Sequence, residues 1–202
     1  MTVYPFLRSI IWIASTTLVS YGCIAIATMR GDAKKQPLRD VLHDILVVPC
    51  PLWLPDLLLV LCCFISLFEI MLPTEILLRR TCMCYLLRAL TVLVTTMPAC
   101  APPFDPAIQV QWPLSSVLWA SRYDLMFSGH TIAFLFFAEM WDSHDAPWTR
   151  THIAQNLARY LFPWTLVWAR QHYTVDIIVA YVVFHYMLTT RVFAWEMNKE
   201  TL

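Results

Sequence analysis

Apolar residues run in long blocks along this chain, and polar residues gather between the blocks. A helix that crosses a bilayer needs about 20 mostly apolar residues, within a range of about 17–25. Six blocks are candidates. They run roughly from Phe6 to Met29, broken only by Arg8, from Leu54 to Leu72, and from Cys82 to Met97. The others run roughly from Leu125 to Trp141, from Leu157 to Ala169 around Pro163, and from Tyr173 to Trp195. The first block is too long for the apolar centre of a cleaved signal and has no clear small-residue cleavage site, so it reads as a retained span. The pattern therefore predicts an all-α integral membrane protein, a six-transmembrane-helix bundle in a single domain over residues 1–202. Between the first two blocks, Leu38, Val41, Leu42, Ile45 and Leu46 have the spacing of a helix lying on a membrane surface over Leu38 to Val48. The Pro98 to Pro113 stretch holds five prolines and is expected to be irregular.

Composition agrees with this. Of 202 residues, 59% are hydrophobic and 14% charged. A soluble domain has about 45–50% apolar and about 25% charged residues. Disorder is excluded, since it needs low hydrophobicity and high net charge. Fourteen basic residues balance fourteen acidic ones, which argues against nucleic acid as a partner. The seven cysteines are odd in number, and most lie in apolar blocks as small hydrophobes. Cys50 and Cys100 sit in proline-rich loops and are the one pair with a case for bridging.

Six spans put both termini on one side. Seven basic residues fall on that side and six on the other, a narrow vote for cytosolic termini.

Two polar clusters carry candidate chemistry. Asp124-Leu125-Met126-Phe127-Ser128-Gly129-His130-Thr131 opens the fourth block, and His172-Tyr173-Thr174-Val175-Asp176 opens the sixth. His172 and Asp176 are four apart, one turn on a helix face. A carboxylate there can hold the imidazole Nδ1 proton and leave Nε2 as nucleophile or base. In the first cluster, backbone N–H groups at a helix start, with Gly129 permitting close approach, make a phosphate site. His130 is placed to protonate a leaving oxygen, and Asp124 to orient it. Arg122 and Arg170 precede the clusters and could hold a phosphate by two hydrogen bonds. The fourth and sixth spans start on the same face, so both clusters share it, and the charge vote makes that face lumenal or extracellular.

Other ionisable residues have blander readings. His43 with Asp40 and Asp44 resembles a metal face only weakly, and His144 and His152 read as solvated. His185 is expected to pack or hydrogen-bond within the sixth span, and Glu69, Arg88 and Glu139 to pair or snorkel. Trp112 and Trp119 suit a membrane interface or a quaternary ammonium headgroup.

At these clusters the chain resembles the sphingomyelin synthase family, within the broader type 2 phosphatidic acid phosphatase superfamily. Asp124 through Thr131 resembles the family's third motif. His172 through Asp176, followed by Ile177, Ile178 and Tyr181, resembles the fourth. Leu54-Pro55-Asp56 resembles the motif before the second span, and Arg79-Arg80 with Tyr85, Arg88 and Thr95 the arginine-rich second motif. The likeness covers roughly residues 52–190. Arg122-Tyr123 stands where the family commonly has Cys-Gly, and Leu54 follows Trp53 where the family has a Pro-Leu pair. These departures bear on the headgroup.

The resemblance implies transfer of a phospho-headgroup from a phosphatidylcholine or phosphatidylethanolamine donor to ceramide, releasing diacylglycerol. His172 would attack the phosphate with Asp176 in support, giving a phosphohistidine. His130 would protonate diacylglycerol and then deprotonate ceramide. Ser128, Gly129 and Tyr173 would join Arg122 and Arg170 in binding substrate. No cofactor or metal is called for, and homo-oligomerisation is left open. The competing readings are a lipid phosphate phosphatase or phospholipase C-like hydrolase using the same histidines, and a non-catalytic lipid-binding membrane protein. The lysine-led first phosphatase motif is absent from the sequence, as is a Ser-Arg at the expected offset before His172, which argues against a plain lipid phosphatase. Acid and nucleophile roles for the two histidines imply a bell-shaped pH profile.

Overall fold

The computed structural model describes residues 3–30, 37–68, 74–95, 97–98, 100, 126–142 and 150–190. Among these residues the regular structure is helix, with no strand. The long helices are α1 (Val3–Arg30), α3 (Leu54–Phe68), α4 (Glu75–Val94), α5 (Gly129–Asp142) and α8 (Thr174–Thr189). A short α2 (Val41–Ile45) precedes α3, and α6 (Arg150–Asn156) runs through a π-helical turn (Leu157–Leu161) into α7 (Phe162–Trp168).

Local chemistry sets several of these boundaries. Thr74 caps α4, its Oγ1 accepting from Leu77 N–H at 3.2 Å. Ser128 Oγ likewise accepts from Thr131 N–H at 3.2 Å and caps α5. Asp40 caps α2, accepting from Leu42 N–H at 2.9 Å. The surface helix expected over Leu38 to Val48 is thus much shorter, since Asp40 starts it late and the chain leaves helical geometry at Leu46. The fifth element is longer than its apolar run, because helix continues back through polar residues to Arg150. Pro163 has no N–H for the carbonyl of Arg159, four residues earlier. The chain widens there into the π turn, and the Tyr181 hydroxyl donates to the Arg159 carbonyl instead.

Successive long helices alternate in direction. Arg8 near the start of α1 lies 3.9 Å from Glu75 at the start of α4, while Arg30 at the other end donates to the Leu93 carbonyl at 2.5 Å. Asp56 at the start of α3 meets His130 at the start of α5, and Ser66 near its end accepts from Trp141 Nε1–H at 3.0 Å. Arg80 near the start of α4 donates to the Leu188 carbonyl near the end of α8 at 2.6 Å. One end of the bundle therefore gathers the starts of α3, α5 and α8 with the ends of α4 and α7.

Helix α5 is the centre. Eight of its fourteen residues are buried on every side of it, as expected of a helix walled in all round. Phe127, Ile132, Phe134, Leu166 and Ile177 pack the core about it. On α1 the buried positions are Thr16, Ser20, Ile24 and Ala27, a stripe of mostly small residues that lets α4 approach closely. The outward stripe of α8, Val175, Ile178, Val182 and Tyr186, is exposed and apolar. Among the described residues one helix, over Arg8–Ala27, is long and apolar enough to cross a membrane, and Leu54–Leu67 and Thr174–Thr189 are shorter apolar helices.

Candidate active site

His172 lies just before α8, not on it. Its Nδ1–H donates to Asp176 Oδ2 at 3.2 Å, so the pairing expected along a helix face is made across the helix start. The same oxygen accepts from Tyr173 N–H at 3.0 Å, and Oδ1 accepts from Met126 N–H at 3.2 Å. Asp176 is fully buried and His172 nearly so. Met126 holds a φ of 124°, a conformation that L-residues rarely adopt, so local strain is spent on aiming an amide at Asp176. The chain is pinned a second time where Ser128 N–H donates to the Asp176 carbonyl at 3.2 Å. Burial pushes the His172 imidazole below its ordinary pKa, although the hydrogen bond and charge of Asp176 act the other way. The charges of His130 and Arg88 lower it further, so these groups face one another electrostatically. A neutral imidazole, Nδ1 tethered and Nε2 available, has the form of a nucleophile.

His130 stands in the first turn of α5. Its Nε2–H donates to Asp56 Oδ1 at 2.8 Å, and both side chains are 22% exposed. Sequence reasoning assigned this orienting role to Asp124, which lies outside the described residues, and missed Asp56. The signal was present in Leu54-Pro55-Asp56, but the partner is 74 residues away in sequence, beyond any local spacing rule.

Arg88 was expected to pair or snorkel. It is buried against the start of α5, its Nε–H donating to the Phe127 carbonyl at 3.1 Å. A Cβ on Gly129 would come within 3.1 Å of the Arg88 Cζ and Nε. Gly129 therefore admits a guanidinium beside the helix start. Tyr85 Oη–H donates to the Gly129 carbonyl at 2.8 Å and holds the same turn. A buried cation at a helix N-terminus adds to that terminus's attraction for an anion.

The other sequence candidates have protein partners. Ser128 is fully buried as the α5 cap. Tyr173 Oη–H donates to the Pro98 carbonyl at 3.0 Å and its oxygen accepts from Leu38 N–H at 2.9 Å. Arg170 has a φ of 57° and donates to the His43 carbonyl at 3.3 Å. His43, Asp40 and Asp44 do not converge as a metal face: His43 reaches the His172 carbonyl, Asp40 reaches Thr174, and Asp44 pairs with Arg39. His185 is exposed on α8 and does not pack, because its position falls on the outward face. Glu139 pairs with Arg159 at 2.7 Å, and His152 is exposed beside Gln155 and Asn156. Cys50 and Cys100 are both free thiols. Arg122, Trp112, Trp119, Glu69 and His144 lie outside the described residues.

The described residues thus bring two histidine–carboxylate pairs and a buried arginine to one end of a helical bundle, a set of groups that could stabilise and transfer a phosphoryl group. Residues 123–197, which carry both histidines, match the family model for the PAP2 superfamily C-terminal domain. That match supports the PAP2 superfamily, whose members are generally phosphatases or phosphotransferases, and with the long helix α1 it supports association with a membrane. No curated protein matches the chain.

Proposed function

We propose that this protein is a multi-pass membrane transferase that moves a phospho-headgroup from a glycerophospholipid to ceramide, in the manner of the sphingomyelin synthases. The observation that carries the reading is the pair of histidines, each hydrogen-bonded to its own carboxylate, at one end of the helical bundle. The alternating helices and the exposed apolar stripe of α8 support six passes, with termini cytosolic and the site on the opposite face.

In the first half-reaction His172 Nε2 attacks the phosphodiester phosphorus and the bond to the glycerol oxygen breaks. His130, protonated, gives its proton to that oxygen and diacylglycerol leaves. The headgroup phosphate stays on His172 as a phosphohistidine. In the second half-reaction the ceramide hydroxyl attacks the phosphorus, His130 takes its proton, and the P–N bond breaks to restore His172. Asp176 holds the His172 tautomer throughout and stabilises the charged imidazole. Asp56 does the same for His130. Arg88 and the first N–H groups of α5 stabilise the phosphoryl oxygens as charge builds on them.

Purified protein given fluorescent ceramide with phosphatidylcholine or phosphatidylethanolamine, run on a thin-layer plate beside His172→Ala, tests this. A new phospholipid spot that vanishes in the variant is expected, and the productive donor names the headgroup. Diacylglycerol without a ceramide product would make the protein a hydrolase, with water as acceptor. No turnover by the wild type would leave the non-catalytic reading.

A further inference from the structure

The N-cap residue of α8 is Tyr173 and not Ser, Thr, Asp or Asn, and Asp176 inside the first turn accepts from its N–H. A second carboxylate comes from 134 residues away. Asp40 Oδ2 accepts from Thr174 N–H at 2.6 Å, and its Oδ1 accepts from Thr174 Oγ1–H at 2.7 Å. Oδ1 also accepts from Leu42 N–H at 2.9 Å, so one carboxylate caps α2 and α8 together. Three more bonds tie the same two segments. His43 Nε2–H donates to the His172 carbonyl at 3.2 Å, Leu38 N–H donates to Tyr173 Oη at 2.9 Å, and Arg170 donates to the His43 carbonyl at 3.3 Å. Every residue from 170 to 174 except Gln171 is thus held by the 38–43 segment. His43 is itself buried, with its ring 5.8 Å from that of Tyr173.

We infer that Asp40 is a positioning residue, and that the 38–43 segment is a strap that sets the geometry of the His172–Asp176 pair by capping α8 from outside its own sequence. The inference rests on the reading of His172 as the nucleophile. Its physical basis is the helix start. Asp176 is the third residue of α8, and His172 precedes the cap. Any fraying of the first turn would separate the imidazole from its carboxylate. A negative charge at that end also suits the helix dipole. Burial acts to raise the Asp40 carboxyl pKa, but hydrogen bonds from Thr174 and Leu42, with the charge of His43, lower it overall. The strap carboxylate is therefore ionised above its ordinary 3.8 and is lost only as pH falls below that value.

The test uses the full-length protein in lipid nanodiscs with the variants Asp40→Ala, Asp40→Asn and Thr174→Val. A misplacement of about 1 Å can cost roughly 100-fold in rate. Asp40→Ala is accordingly expected to lower kcat about 10–100-fold with KM little changed. Asp40→Asn, which keeps one acceptor, is expected to recover part of this. Thr174→Val should lower kcat less, and should add nothing in the Asp40→Ala background. A second readout needs no turnover: carbethoxylation of His172 by diethyl pyrocarbonate, followed by peptide mass, is expected to quicken several-fold in Asp40→Ala as the loop loosens. If Asp40→Ala fails to fold, Asp40→Asn and Thr174→Val carry both readouts. Melting temperature falling while kcat and His172 labelling stay at the wild-type level would overturn the inference and leave Asp40 a structural residue. Faster His172 labelling in a protein whose wild type transfers nothing would uphold the strap and overturn the proposed function instead.

Discussion

The two histidine–carboxylate pairs are chemically alike and structurally opposite. His172 and Asp176 are four residues apart, buried, and fixed by backbone amides from two segments. His130 and Asp56 are joined across two helices, and about a fifth of each side chain is open to solvent. A nucleophile gains from burial, which keeps the imidazole neutral and its lone pair undamped by water. An acid–base group must exchange protons with two successive oxygens, and so needs access. In the proposed reaction the contrast suits His172 to the nucleophile's role and His130 to the acid–base role. It also shows why one pair is local in sequence and the other is not: a rigid pair can be built by one helix start, whereas an accessible one sits where two helix starts meet.

The largest effect expected from breaking this comparison is at His172. His172→Ala should lower kcat by roughly 10⁶-fold, the size seen when a member of a catalytic unit is lost. Exogenous imidazole, which can enter the vacated space, should restore part of the rate. Asp176→Asn should follow at about 10⁴-fold, because the amide supports the wrong tautomer. A melting curve would show whether its lost charge-assisted bonds also loosen the α8 start. His130→Ala should cost about 10²–10⁴-fold on a natural lipid. A donor bearing a nitrophenyl leaving group needs no acid, so most of that loss should disappear, while the His172→Ala loss should not. Equal recovery in both variants would erase the division of roles. Asp56→Asn removes a partly exposed charge-assisted bond worth about 1.5–3 kcal/mol, giving roughly 10–100-fold.

The smallest effect is in pH. His172 has its pKa lowered below the ordinary 6.5, chiefly by burial. In the proposed reaction its neutral form attacks, so activity should rise with pH through a limb centred below 6.5. The linked stability has the same sign: the unfolded chain binds the proton more tightly, so this contribution is full above 6.5 and lost as pH falls through the folded value. In Asp176→Asn the limb should move lower still, because the carboxylate that favours the imidazolium is gone. An upward move, followed in the initial-rate profile, would contradict the assignment.

Much of this was legible in the residues. The apolar blocks placed the long helices because burial and bilayer both select the same runs, and His172 with Asp176 could be paired by spacing alone. Other features were not legible, for definite reasons. The fifth helix extends to Arg150 through polar residues that an apolar count stops at, and Pro163 is absorbed by a π turn whose stray carbonyl is met by Tyr181 from another helix. Arg88 was read as an intramembrane charge that pairs or snorkels, and its place beside the α5 start, where Gly129 leaves room for it, is visible only once the two helices are packed. Asp56 and Asp40 act across 74 and 134 residues, and no local pattern encodes such a partner. Ser128 was read with Gly129 as a helix start that holds a phosphate, and Tyr173 as part of a resembling motif; that their side chains also make a helix cap and a strap contact could not be seen in the sequence.

The most direct measurement is the site of the covalent intermediate. Protein held with headgroup-labelled phosphatidylcholine and phosphatidylethanolamine, without ceramide, is denatured in alkali, which spares phosphohistidine, and its peptides are weighed. The account expects label on His172, discharged when ceramide is added and absent from His172→Ala. Label on His130, or ceramide product formed with no label on His172, would contradict it.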